Sequence, residues 1–369
     1  MTTANILSQL GSPGVSTGFK NRIINGAMVI DQRNGGASIT QDTSGAQYSV
    51  DRWDIYGNVA GKFTAQQNAG SVTPPVGFSY YLGITSTSAY SIGSSDVFQL
   101  QTKIEGFNTA DLGWGTANAK TVTLSFWVRS SLTGTFGGAL VNGAADYSYP
   151  YSYSIPAANT WTQISVTITG PTAGTWVGAT NGLGIRVYFG LGVGSSASGT
   201  PGTWASTLYR SATGATSVVS TNGATLYITG VQLEVGTTAT NFDYRPYTTE
   251  LQLCQRYCWV QNNVNASDGY MRFSIAAVGE ASTSMTTIVQ FPVRMRAQPS
   301  FSPSGSFQAY NGGFYTPSGL PTFASSSGGN YTDNMCFVLP FTTGISQGVA
   351  YHVLSANNNN TKIIYSAEL

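Results

Sequence analysis

Charge is what this sequence lacks most. Of 369 residues, 16 are Lys or Arg and 15 are Asp or Glu, giving 8% charged residues and a net charge of +1, against about a quarter charged in an ordinary soluble domain. Nucleic-acid binding draws on clustered cations that neutralise phosphates. Here the cations stand singly, with Arg294 and Arg296 the nearest approach to a patch, so no nucleic-acid partner is expected. Disorder is excluded on other grounds: 12% of the residues are aromatic, including 21 Tyr, whereas disordered chains are poor in aromatics and usually rich in net charge. No apolar run reaches the roughly 18 residues of a membrane span. Met1-Thr2-Thr3-Ala4-Asn5 has neither the cationic nor the apolar segment of a secretory signal, so folding in a cytoplasm is expected. Three cysteines, Cys254, Cys258 and Cys336, are too few for a disulfide framework.

What is present points to β-structure. Residues 1–20 carry little apolar periodicity and resemble an arm or tether. From Asn21 onward, short runs of β-branched and aromatic residues are punctuated by Gly, Asn, Ser and Pro, the spacing of an antiparallel sandwich or barrel. Val122, Leu124, Phe126 and Val128 alternate with Thr123, Ser125, Trp127 and Arg129, which predicts a strand with one apolar face. The runs 162–169, 183–189 and 224–228 read the same way. One short helix is predicted near 246–260, where Leu251, Cys254 and Cys258 recur at helical spacing behind Glu250. It separates residues 21–245 from a smaller region, 261–369, with predicted strands at 270–278, 285–295, 335–340, 349–354 and 361–365.

Groups with catalytic or metal-binding chemistry are sparse. The one histidine, His352, lies in a strand pattern without a neighbouring nucleophile motif, and a single His excludes a multi-histidine metal site within one chain. Cys254 and Cys258 suit a buried helix face. Asp51 and Asp54, weighed as a glycosidase pair, would point to opposite faces of a strand and fit structural ion pairs. Gly190-Leu191-Gly192-Val193-Gly194 lacks the Lys and the following helix of a phosphate loop and reads as strand ends and loops. No cofactor is expected.

The aromatics carry more. Tyr147, Tyr149, Tyr151 and Tyr153 recur at period 2, and Pro150 marks the segment as an edge strand or loop. Phenol rings among neutral polar residues suit a sugar; a sheet face or subunit contact explains the same row. Trp114 in Gly113-Trp114-Gly115 and Trp204 in Gly202-Thr203-Trp204 are either stacking platforms or loop plugs. Trp114, Tyr147, Tyr149, Tyr151 and Trp204 are thus the candidate glycan-binding residues.

Several strings resemble one group of proteins in chain order. They are Asn21-Arg22-Ile23-Ile24-Asn25-Gly26-Ala27-Met28, Asp31-Gln32-Arg33, Val50-Asp51-Arg52-Trp53, Lys103-Ile104-Glu105-Gly106, residues 122–130, Ala158-Asn159-Thr160-Trp161, residues 228–236, and 242–247 leading into 251–257. Together they cover about residues 21–260 and resemble phage tail-fibre and virion-associated proteins, whose N-terminal domain is similar to carbohydrate-binding-module jelly rolls. The resemblance implies an all-β fold: a jelly-roll β-sandwich followed by a second, smaller β domain. Some such jelly rolls hold a structural calcium, but no acidic cluster marks that site here.

The resulting expectation is a non-enzymatic virion structural protein, a tail fibre or similar appendage recognising host-surface glycan. It would be located in the virion, attached to other virion proteins by residues 1–20, and assembled as a homotrimer in the host cytoplasm. A capsid-decoration, collar or baseplate role without receptor binding is the alternative, and a glycan-degrading enzyme the third. Charge is withdrawn unevenly: between Asp146 and Glu234 only Arg186 and Arg210 are charged, and between Arg296 and Lys362 only Asp333. Such neutral surfaces fit a protein held within an assembly.

Overall fold

The computed structural model describes residues 20–262, 269–274, 276–324 and 332–369, so the expected arm, residues 1–20, lies outside them except for Lys20. The chain divides after Pro246 into two compact units. Strands of the first, in chain order, are β1 (Ile39–Thr40), β2 (Gln47–Tyr48), β3 (Trp53–Gly57), β4 (Phe63–Gln67), β5 (Leu82–Ser86), β6 (Val97–Glu105) and β7 (Val122–Ser130). There follow β8 (Gly134–Asn142), β9 (Ser148–Ile155), β10 (Thr162–Ile168), β11 (Leu183–Val193), β12 (Ser198–Gly199), β13 (Ser211–Ala212) and β14 (Thr225–Val235). They build two six-stranded sheets, β1-β4-β5-β14-β7-β10 and β2-β3-β6-β11-β8-β9. All pairings within these sheets are antiparallel. The unit is a jelly-roll β-sandwich.

Alternation explains the layers. In β7, Val122, Leu124, Phe126 and Val128 are buried, and in its edge neighbour β10, Gln163, Ser165 and Thr167 are exposed. Trp53, Phe63, Phe98, Phe126, Phe136 and Phe189, all at most 1% exposed, fill the space between the sheets. Each such side chain contributes on the order of 2–3 kcal/mol by leaving water.

The opening string is a structural clasp. Asn21 donates Nδ2–H to Val231 O and accepts from the Ile23 and Leu233 amides, which fastens the segment to β14 at its bulge. Asn25, at φ 57°, donates to Ile30 O and Asp51 O, both at 2.8 Å, and accepts from the Ile30 amide. Trp53 donates its indole N–H to Asn25 O at 3.0 Å. A Cβ on Gly26 would lie 2.1 Å from Val231 O, so only glycine fits there. Arg22 holds Asp111 in a fork, both contacts at 2.7 Å. These motif residues close the sandwich through backbone groups.

The Gly190–Gly194 run is a strand end, as expected: Gly190 to Val193 close β11, with a register shift between Gly190 and Gly192, and Gly194 lies beyond it. Its glycines make room for a covering segment. β12 and β13 pair in parallel outside the second sheet, and Cβ atoms on Gly190 and Gly192 would lie 2.7 Å from the Ser211 and Ser217 hydroxyls.

The second unit begins with α1 (Tyr247–Gln255), followed by β15 (Cys258–Asn262), β16 (Ala277–Ala281), β17 (Ser284–Gln290), β18 (Ser300–Ser304) and β19 (Phe307–Tyr310). It continues with β20 (Phe314–Tyr315), β21 (Thr322–Phe323), β22 (Asn334–Pro340), β23 (Ala350–Ser355) and β24 (Lys362–Ser366). A three-stranded sheet, β15-β24-β18, and a seven-stranded sheet, β20-β19-β23-β16-β17-β22-β21, share a core that includes Tyr365, Ile363, Met285 and Phe337. Cys254 is buried on α1, but Cys258 opens β15 instead of continuing the helix. Its neighbour Tyr257 donates to Cys254 O and accepts from the Ala367 amide, which turns the chain into the sheet. The run 270–278 forms strand only from Ala277.

Candidate functional site

Two loops at one end of the sandwich, 106–121 between β6 and β7 and 169–182 between β10 and β11, build the site. Gly113 and Gly115 flank Trp114 at φ 62° and 85°, values open to glycine and costly for other residues. A Cβ on Gly115 would lie 2.8 Å from Trp176 Cδ1 and 2.9 Å from Gly174 O. This turn sends the Trp114 ring inward, where it is 6% exposed and donates Nε1–H to Lys120 O at 2.8 Å.

Around it gathers an aromatic knot. Trp176 meets Trp114 edge to face at 4.8 Å, and Trp204 lies 5.5 Å from Trp114 and 5.6 Å from Trp176. Tyr147 stacks on Trp204 at 5.5 Å with an 11° interplanar angle, and Tyr149 approaches it at 5.2 Å. Four sequence-predicted residues, Trp114, Tyr147, Tyr149 and Trp204, thus come together. Trp176, which completes the group, was missed; the signal was Gly174-Thr175-Trp176, the same triplet as Gly202-Thr203-Trp204.

Of the two readings of the tyrosine row, a sugar-stacking face and a sheet face, the burial of three of its four rings favours the sheet face and speaks against Tyr151 as a binding residue. β9 is the edge of the second sheet, and Tyr149, Tyr151 and Tyr153 turn toward the core, between 1% and 8% exposed. Tyr151 donates to Tyr188 O at 2.7 Å. Burial pushes its phenol well above the ordinary tyrosine range, with the neighbouring Tyr153 adding to the shift, and burial also raises Tyr149. Tyr151 leaves the candidate set; Trp114 and Tyr149 support the knot from beneath.

Beside the knot lies a hollow of about 160 Å³. Ile185 of β11, Trp114, Trp176 and Val177 give it apolar surface, and Thr109 and Thr116 add hydroxyls. Thr116 donates its hydroxyl to Gly113 O at 2.6 Å and accepts from the Asn118 amide at 3.2 Å, and Thr109 donates to Gly106 O at 3.3 Å, which leaves one lone pair on Thr116 and those of Thr109 to accept from a ligand. No charged side chain lines the hollow.

Charge lies elsewhere on the sandwich, in pairs. Asp54 and Gln101 face each other across β3 and β6, and Lys103 Nζ is 3.2 Å from Asp54. Arg33 is 3.7 Å from Asp51. Arg210 hydrogen-bonds Gln99 at 3.2 Å and lies over the Tyr56 and Tyr188 rings at 5.7 and 5.4 Å. Asp51 precedes β3, in a turn where Arg52 has φ 70°, so the two acids occupy separate settings. Among the described residues no group of three or more His, Cys, Asp or Glu is placed to hold a metal ion. Nor is any helix among them long and apolar enough to cross a membrane.

No protein-family model matches the sequence, and no curated protein matches it. Solved structures do. The chain is similar to the enzymatically active domain of bacteriophage CBA120 tailspike protein 4, at 13% identity and TM-score 0.32, over 58% of this chain and 21% of that one. It is similar to the TmCBM61 structure in complex with β-1,4-galactotriose, at 10% identity and TM-score 0.28, over 59% and 99% of the two chains. It is likewise similar to the family 11 carbohydrate-binding module of Clostridium thermocellum with a β-1,3-1,4-mixed-linked tetrasaccharide, at 9% identity and TM-score 0.26, over 56% and 100%. At these scores the function has to be argued from the chain's own residues.

Proposed function

We propose that this chain is a bacteriophage virion protein, a tail fibre or similar appendage, whose sandwich holds a neutral glycan of the host surface at the Trp114–Trp176 hollow. The observation that carries the proposal is the lining: two indole rings and two threonines with no charged side chain. Flat aromatic rings take the C–H faces of sugars, and neutral hydroxyls bond their polar edges. At about 160 Å³, below the roughly 300 Å³ of drug-sized sites, the hollow takes a single sugar ring, a chain end or a branch. Neutral strand faces suit packing against further copies, and a homotrimer is the proposed assembly, with residues 1–20 attaching it to other virion proteins after assembly in the host cytoplasm.

The test is adsorption competition. Purified protein in large excess is expected to block attachment of the phage that carries it, and Trp176→Ala protein is expected not to. Unchanged adsorption under saturating wild-type protein removes the receptor role, and a native mass equal to one 38.8 kDa chain removes the trimer.

One observation favours a second reading. All three indole N–H groups end on backbone carbonyls, Lys120 O, Ala173 O and Thr169 O, as a loop plug would have them. Under that reading the protein decorates the capsid or builds a collar or baseplate. Particles lacking it then adsorb normally and lose physical stability.

A further inference from the structure

The second unit carries a larger cavity of different chemistry. The ladder between β16 and β17 ends at the pair Ala277 and Thr287, while β17 runs on to Gln290. Past that point Ile288 to Gln290 have no β16 partner, and the chain at 272–274 instead follows β23, with Arg272 bridged to Leu354 and the Phe273 amide donating to Val353 O. The gap so opened is a cavity of about 470 Å³, inside the size range of about 300–1,000 Å³ for ligand sites.

Its walls supply three kinds of contact. Trp259 stacks one ring face on Tyr365 at 5.1 Å and 17°, lines the cavity and is half-buried. Gln261 is held in place, donating to Phe273 O at 3.4 Å and accepting from the Tyr365 hydroxyl at 2.9 Å. Among the described residues of the lining Arg272 is the only Lys, Arg, Asp or Glu, and it is exposed. His352 reaches the cavity from β23, and its Nδ1 is buried without a hydrogen-bond partner. The same His352 lines a second hollow of about 140 Å³, with Tyr310 on its wall. His352 thus lines two spaces, each with an aromatic ring.

We propose that this cavity binds an acidic oligosaccharide, one hexuronate ring lying against Trp259 with its carboxylate on Arg272 and its edge passing the His352 wall, and the next sugar lying toward Tyr310. A guanidinium presents a planar fork that matches a carboxylate in two parallel hydrogen bonds. A single cation balances a singly charged carboxylate better than a phosphate dianion, and among the described residues of the lining no acid repels it. This site is separate from the sandwich hollow and selects charge where that one excludes it.

Because His352 is the only histidine in the chain, its imidazole signals in a nitrogen-resolved NMR spectrum of the full-length protein come from one residue on the wall of this cavity and of the smaller hollow. The probes are galacturonate, glucuronate and mannuronate trisaccharides and the methyl ester of each, which keeps the shape and removes the charge. At least one acid is expected to move the His352 signals in a saturable way, with its ester about tenfold weaker. Arg272→Gln is expected to abolish that preference while leaving the rest of the spectrum unchanged, and Trp176→Ala to leave binding intact. No movement with any of the three acids, or an equal response to acid and ester, overturns the proposal. Loss of the response in Trp176→Ala instead places the ligand at the sandwich hollow and overturns it too.

Discussion

Both units tie charge to internal partners, Arg294 to Asp333 and Arg296 to the Ala367 and Glu368 carbonyls in the second, but their cavities differ in charge. In the sandwich, Arg22 grips Asp111, Lys103 reaches Asp54 and Arg33 reaches Asp51, and the hollow beside the aromatic knot is lined by neutral residues. In the second unit Arg272 and His352 both stand on the wall of the cavity of about 470 Å³. Charge committed to internal partners fixes a fold; charge left on a cavity wall selects a ligand.

The contrast is broken most severely at the clasp. Asn25→Ala removes three buried hydrogen bonds and puts alanine at φ 57°, which costs about 3–5 kcal/mol. Hydrogen exchange read peptide by peptide should lose protection across 20–246 and keep it across 247–369. Equal loss in both units would show that they unfold together.

Alkaline pH tests a property the units share. Burial pushes Tyr151, Tyr153 and Tyr365 far above the ordinary tyrosine range, so the folded state holds protons that the unfolded chain releases above about pH 10. Their contribution is fully present below that pH and lost as pH rises toward the folded values. Denaturant midpoints measured from pH 8 to 11 should fall. Tyr365→Phe should remove the alkaline fall from the second unit alone, at a cost of about 1 kcal/mol for the bond to Gln261.

Gly115→Ala forces a Cβ against Trp176 and Gly174 O at a left-handed φ, for about 1–3 kcal/mol. It should weaken glycan binding by the sandwich more than stability, and it leaves the His352 response to hexuronates unchanged. The smallest effect is at Asp111. Partial burial raises its carboxyl, but the Arg22 hydrogen bonds and the Arg22 and Lys120 charges outweigh that and hold it below the usual range. The stabilisation is present at neutral pH and lost as pH falls through the lowered value. Because the carboxylate is 53% exposed, Asp111→Asn should cost about 1 kcal/mol or less, read as a shallower acid-side fall in stability than wild type.

Much of the fold was legible. The strand at 122–130 follows from alternation alone, since a half-buried strand must carry apolar residues at period 2. The end of α1 was not legible: Cys258 keeps helical spacing with Cys254, and only pairing with Ser366 across β15 and β24 draws it into a sheet. Of the site, Trp114, Tyr147, Tyr149 and Trp204 were legible as aromatics set among turn residues. Their mutual contact was not, because it joins loops up to ninety residues apart in sequence.

By itself the sequence determined the all-β class, the neutral character of the surfaces and the position of the closing strings, because periodicity, composition and glycine placement act locally. The tertiary structure alone decided which way the tyrosine row faces. The residues between those tyrosines, Ser148, Pro150 and Ser152, are neutral and small, so alternation gives no preference between core and solvent until Phe126, Phe136 and Phe189 arrive to bury one side. It also decided that Trp176 belongs with Trp114, and that Arg272 and His352 share a cavity, because those meetings depend on where separate strands stop pairing.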